Sequence, residues 1–294
     1  DMSVLKEELG AGVVAIHRAR LQEVFAKALE RTAVVLGKRC VGFDDDASGV
    51  TLHFEDGSSE RAALLVGADG LHSAVRRVLL GETPLRYAGY TSWRGIASPT
   101  PGVEAGRVAE MWGRGLRFGY AAVSASEIYW FAVANAPEGA RDDDAHAFVT
   151  ARFAEFAAPA PALVAATAKE RVFRTDIHDR PPVASWSRGR VTLLGDAAHP
   201  TTPNLGQGGC MAIEDAVTLA HCLAVESAHE QAFAAYEAKR LAHTSRIVEA
   251  SYKFGQIAQL DGAVSTAIRN FVMRLTPPGV VRKQLLRNAR FSLD

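Results

Sequence analysis

RVTLLGDAAHPTTPNLGQGGCMAIED, residues 190–215, decides the reading of this chain. Val191 to Leu194 read as a short buried strand, after which Gly195 leads to a carboxylate, Asp196. The loop beyond it carries Pro200, Pro203, Gly206, Gly208 and Gly209, so its path is stiff at first and then stripped of side chains. A flat ligand can press against main-chain N–H groups there. A helix follows, marked by Ile213, Val217, Leu219 and Leu223. Its N-terminus carries about half a positive charge and several unpaired donors, which suits a ligand that becomes anionic as it reacts.

A second constellation lies upstream. Ala62 to Val66 read as a strand, and Gly67-Ala68-Asp69-Gly70 turns it into a helix bearing His72, Ser73 and Arg76. ADGLHSAVR at 68–76 and GDAAHPTTPNLGQGG at 195–209 resemble, in order and rough separation, the DG and GD motifs of the single-component FAD-dependent monooxygenases, the aromatic hydroxylases and epoxidases. Asp-Gly turns are common alone; the ordered pair is specific. The resemblance covers nearly the whole chain and is similar in kind to the flavin-dependent urate hydroxylases and zeaxanthin epoxidase-like proteins.

The resemblance implies an α/β fold: an FAD-binding Rossmann-like domain, an inserted antiparallel-sheet substrate domain and C-terminal helices. It divides the chain into 1–82 and 179–225 for the FAD domain, 83–178 for the substrate sheet and 226–294 for the helical end. Asp196, next to Gly195, is expected on the ribityl chain of FAD, with Pro203, Gly206, Gly208 and Gly209 along the isoalloxazine ring. Asp69 and Gly70 are expected near the FAD pyrophosphate and the nicotinamide cofactor, with Arg76 supporting their loop. Arg18, at the start of an H-R-x-x-L helix, is expected against the flavin. NADPH or NADH then reduces FAD, O2 adds at carbon 4a, and the flavin hydroperoxide delivers one oxygen atom to a small aromatic or olefinic substrate lying between sheet and flavin.

Each site residue also has a plainer reading. Asp196 can accept N–H bonds from its own loop, and Asp69 can be a helix N-cap. Arg18 can be a surface arginine, although it sits at the wrong end for the helix dipole. Arg117 shares a strand face with Gly119 and Ala121, and two very small neighbours leave room above it, like a pocket floor. Tyr129 on the next strand is expected to share that space. By resemblance to the urate hydroxylases, Arg117 and Tyr129 are the candidate catalytic, substrate-contacting residues; as plain structure they are a rim arginine and a core tyrosine. His199 reads as fixing the loop rather than as a base.

One family part is missing. No G-x-G-x-x-G turn follows an opening strand, and the nearest approach, Gly113 to Gly119, puts Phe118 where the third glycine belongs. With Asp1 in place of a methionine, the chain reads as the larger C-terminal portion of a flavoprotein, lacking a first βαβ unit of about 30 residues. Met211 departs from the polar residue usual there. A reductase or oxidase that shares both motifs without inserting oxygen, and a truncated non-catalytic remnant, stay open as alternatives.

The rest of the chain fits two domains. Residues 17–30 show helical spacing, Val34 to Phe43 read as a strand closed by an Asp44-Asp45-Asp46 turn, and Val50, Leu52 and Phe54 alternate. Aromatic, glycine-punctuated strands follow at 87–96, 107–112, 116–123 and 128–134, then a helix-rich stretch over 142–169, a return through 172–177 to the strand at 191–194, and helices from 208 onward. The 294 residues are 48% hydrophobic, with 33 basic against 33 acidic side chains, so no bulk charge favours nucleic acid or an anionic membrane. Three cysteines without C-x-x-C spacing suggest neither disulfides nor a metal site and fit a cytoplasmic protein. No run approaches the roughly 18 apolar residues of a spanning helix. The basic tail, with Arg282, Lys283, Arg287 and Arg290, reads as a solvated helix face in preference to a membrane or partner contact. Oligomeric state is not legible.

Overall fold

A computed structural model describes residues 3–10, 12–104, 106 and 108–293. The elements run α1 (Ser3–Leu9), α2 (Arg18–Lys27), β1 (Cys40–Asp46), β2 (Gly49–Phe54), β3 (Ser59–Ala62), β4 (Leu65–Gly67), α3 (Ala74–Leu80), β5 (Arg86–Ala97), β6 (Val108–Trp112), β7 (Leu116–Ala122), β8 (Ile128–Asn135), α4 (Ala145–Arg152), α5 (Ala160–Ala165), β9 (Phe173–Asp179), β10 (Ser187–Arg188), β11 (Val191–Leu193), α6 (Gly208–Val225), α7 (His229–Ala258), α8 (Ala263–Leu275) and α9 (Pro278–Ala289). The chain forms two compact units: one of Asp1–Thr32, Gly89–Ile177 and Gln256–Ala289, the other of Ala33–Ala88, His178–Gly255 and Arg290–Asp294. This division follows contacts, whereas the boundaries drawn from sequence follow motifs.

The second unit holds both motifs. β11 runs parallel to β4 and antiparallel to β10, and Val191, Thr192 and Leu193 are wholly buried. Gly67 is required at the end of β4, since a Cβ there would stand 2.7 Å from Val75 on α3 and 2.9 Å from Leu193. A separate three-stranded antiparallel sheet, β1-β2-β3, precedes the DG strand. Here three expectations fail. Ala62 closes β3 in this separate sheet, so the strand before the DG turn is not 62–66 and begins only at Leu65. Val34, Val35 and Leu36 are exposed and outside any strand, and Asp44-Asp45-Asp46 lies inside β1. The turn comes one step later, because Asp46 Oδ1 accepts the N–H groups of Ser48 and Gly49 at 2.7 and 3.0 Å and closes it.

The first unit is built on the five-stranded sheet β6-β7-β8-β5-β9. The return segment at 172–177 is itself a strand and joins this sheet as β9, and Arg107, the expected start of β6, lies outside the described residues. Phe118, Tyr120, Trp130, Ala132 and Trp93 form one face, packed in a single core with Val149 and Phe153 of the α4 region and Leu163 and Val164 of α5. Trp130 Nε1 donates to Thr167 at 2.8 Å, which satisfies its only polar atom in that core. The opposite face carries Arg117, Gly119 and Tyr129.

By length and composition α6 is apolar enough to cross a bilayer, although Glu214 and Asp215 interrupt its apolar run. It contains Asp215, which is fully buried and ion-paired to Arg240 within the same unit.

Candidate active site

The DG turn is built around Asp69. Its carboxylate accepts the N–H groups of Ala74 and Val75 at 2.8 and 3.2 Å and the Ser73 hydroxyl at 2.5 Å, while Ser73 Oγ accepts the Arg76 N–H at 2.8 Å. The N-cap of α3 is therefore Ser73, and Asp69, four residues earlier, accepts the first two N–H groups of the helix from the turn. Gly70 has φ +80°, a conformation that favours glycine, and its carbonyl accepts the Ser73 N–H.

Arg76 links the two motifs. Its Nη1 donates to the carbonyls of Ala197 and Ala198 at 2.8 and 2.7 Å, and the side chain is buried. Beside it lies Arg180, which donates to the carbonyls of Thr83 and Leu71 and to the Thr83 hydroxyl. Neither guanidinium has a carboxylate partner among the described residues, and the Nε of each is buried without an acceptor. Burial, with the charge of Arg180 adding to it, pulls Arg76 down to about 10. Two adjacent cations without a counter-charge are costly in an interior and make a receptive place for an anion.

At the GD motif, Gly195 takes φ +60° and Gly206 φ +63°, so both glycines are needed for the path of the loop. Pro203 opens a 3-10 turn over Pro203–Leu205 that Gly206 ends. Ser251 of α7 pins this turn through its hydroxyl, 2.8 Å from Thr202 Oγ1, and its carbonyl, which accepts the Asn204 amide at 2.9 Å; the same amide donates to Thr202 Oγ1 at 2.9 Å within the loop. A Cβ at Gly206 or Gly209 would meet nothing within 4 Å; one at Gly208 would stand 3.3 Å from Thr201 and 4.0 Å from Asp196 Oδ1. The exposed Asp196 carboxylate thus lies beside the start of α6, an 18-residue helix whose first turn no side chain caps. Open glycine backbone, an uncapped helix start and an adjacent acceptor fit the ribityl and ring portions of FAD. Met211 is 1% exposed, turned into the protein.

A buried network behind the loop was not read from sequence. Asp215 accepts the Gly195 N–H at 3.1 Å, sits 2.5 Å from His199 Nε2 and accepts Arg240 Nε at 2.8 Å. Arg240 also reaches Glu214 at 2.7 Å. His199 is therefore part of the loop's support. Burial pulls the Asp215 carboxyl upward, but the hydrogen bonds and charges of His199 and Arg240 outweigh it and hold it below the ordinary carboxylate value. The available signal was a lone acid pair in an apolar helix, which burial obliges to find partners.

On the sheet, register places Arg117 opposite Val133, Gly119 opposite Phe131 and Ala121 opposite Tyr129. The expected open floor is not there: the Phe131 ring would stand 2.2 Å from a Cβ on Gly119. Arg117 is 2% exposed, donating to Gln259 Oε1 at 2.8 Å and pairing with Glu110 at 3.3 Å. Tyr129 shares its face but lies four residues along, about 14 Å away by strand spacing, with the Phe131 row between them. Arg94, opposite Phe131 on β5, is nearer, about 8 Å by the same measure. It has no acidic partner among the described residues and was missed, because alternation alone does not show which strands pair. Burial pushes the Tyr129 hydroxyl up, against the opposing charge of Arg94. Arg18 starts α2 in this first unit and is exposed; α2 buries no residue, so its apolar spacing marks no core-facing stripe.

The family described as FAD binding domain matches residues 13–251. The chain belongs to it. Aurachin C monooxygenase/isomerase of Stigmatella aurantiaca is 44% identical over 99% of this chain and 76% of the relative. The FAD-dependent urate hydroxylase of Klebsiella pneumoniae is 39% identical over 82% of this chain and 64% of its own length. The crystal structure of Klebsiella pneumoniae HpxO with FAD and uric acid superposes with a TM-score of 0.90 at 35% identity, covering 98% of this chain and 75% of that one. The chain is thus a member of the FAD-dependent monooxygenases, with their α/β fold, and FAD is its cofactor.

Proposed function

We propose that this protein is an NAD(P)H-dependent flavin monooxygenase that hydroxylates or epoxidises a small aromatic or olefinic substrate. The observation that carries the reading is the open glycine backbone of Gly206 and Gly209 at the uncapped start of α6, with Asp196 beside it. FAD, when bound, supplies the redox and oxygen chemistry. Asp196 would accept hydrogen bonds from ribityl hydroxyls, and the α6 N-terminus would favour negative charge on the reduced ring.

Arg76 and Arg180 support use of a nicotinamide dinucleotide, since a pyrophosphate supplies the counter-charge and the Nε acceptors that the protein lacks there. Asp69 and Gly70 shape the turn that holds Arg76 in place. On the sheet, Arg94 and Tyr129 bind and orient a polar ring substituent of the substrate, and Arg117 holds the face rigid through Gln259 and Glu110. Relatives named for urate and for 6-hydroxynicotinate support a small heteroaromatic substrate.

Turnover of a candidate aromatic under isotopically labelled O2 tests the reading. One labelled oxygen atom in the organic product is expected. Unlabelled product with stoichiometric hydrogen peroxide would instead assign an oxidase.

A further inference from the structure

α8 lies on the protein the wrong way round. Val264, Ile268, Phe271, Val272 and Leu275 follow i, i+4, i+7, i+8, i+11 spacing and form one apolar stripe, yet they are 73, 59, 63, 56 and 65% exposed. The inward side is polar: Thr266 and Arg269 are the buried residues of the helix. Arg269 donates to the carbonyls of Ala258 and Gly113 at 2.8 and 2.9 Å and stands 5.4 Å from the Trp112 ring centre. A helix fastened by its polar side holds its apolar side outward, where water alone gives it no compensation.

Charge selects what covers it. From Gly262 to Ala289 the sequence has no Asp or Glu, but it has Arg269, Arg274, Arg282, Lys283 and Arg287. Arg282 pairs with Glu8 of α1, while Arg274 and Lys283 stand exposed. A second copy in a two-fold arrangement would bring this surface against itself and oppose like charges. An anionic lipid surface complements both the stripe and the cations. At 13 residues α8 is too short to span a bilayer, so it would lie in the interfacial plane. We propose that α8, with the exposed Arg274 on the same helix and the basic segment that follows it in sequence, docks this protein on anionic membranes.

The test is flotation of the full chain with phosphatidylglycerol vesicles, with phosphatidylcholine vesicles as the control. Binding to the anionic vesicles, weakened by salt, is expected. Phe271→Glu should lower partition more than about tenfold, the loss expected when one large apolar side chain no longer buries. Arg274→Ala and Lys283→Ala should each lower it about fivefold. Far-UV circular dichroism checks that the variants fold. Phe271→Trp gives an independent readout, its fluorescence being quenched by brominated phosphatidylglycerol when the stripe inserts. Absence of binding by the parent, equal binding by Phe271→Glu, or an unquenched Trp would overturn the proposal. So would a dimer in sedimentation equilibrium that Phe271→Glu dissolves without any vesicle binding, which would assign the stripe to a second copy.

Discussion

Replacing Asp215 by Ala is expected to destabilise the protein and to loosen the cofactor loop at the same time. The carboxylate is fully buried and serves three donors: the Gly195 N–H, His199 Nε2 and Arg240 Nε. Removing one partner of a buried ion pair costs about 3–5 kcal/mol. Arg240 keeps Glu214 at 2.7 Å, so the low end applies, about 3 kcal/mol. For a chain of this size that lowers the melting temperature by roughly 6–12 °C. Because the Gly195 N–H loses its acceptor, FAD retention should fall as well, although Asp215 does not reach the open backbone of the loop. The acid limb of stability carries a second signature. The folded-state pKa of Asp215 is depressed, so its contribution is present above the ordinary carboxylate value and is lost as pH falls through the lower, folded value. Denaturant titrations at several pH values should show that component in the parent and not in the variant. A variant with unchanged midpoint and an unchanged acid limb would refute the network as the loop's support.

Asp196→Ala should leave the melting temperature nearly unchanged, since the side chain is exposed, while FAD retention measured by equilibrium dialysis falls by about 1.5–3 kcal/mol. Arg117→Ala should behave as a fold variant: it strands Gln259 and the Glu110 carboxyl, which burial already raises, at a cost of about 1–3 kcal/mol read by chemical denaturation. Arg94→Ala should keep stability and flavin content and lose thirtyfold or more, as an order of magnitude, in kcat/KM. Equal kcat/KM for parent and Arg94→Ala would return the substrate contact to Arg117.

What was legible in this sequence was what lies within a few residues. The DG and GD turns and the strand leading to Gly195 are local backbone matters, and the positive φ at Gly70, Gly195 and Gly206 agrees with turns at those places. Four strands of the five-stranded sheet were legible through alternation, but β9 and the pairing were not. That is why Arg117 was read as sitting beneath open space: its partner Gln259 is 142 residues away, and the ring that fills the Gly119 gap belongs to Phe131 on the neighbouring strand. Arg94 went unseen for the same reason, since only the register of β5 against β8 brings it beside Tyr129. Asp215 failed differently. A helical pattern shows which face is apolar, and it cannot show that one acid on the helix is held by an arginine 25 residues later and by a histidine 16 residues earlier. α8 is the sharpest case, because its stripe has the spacing of a core-facing helix and the structure turns that stripe outward. Periodicity reports that a helix has an apolar side; which side the protein keeps is decided by what the polar side can bind, and here Arg269 finds two carbonyls and an indole ring.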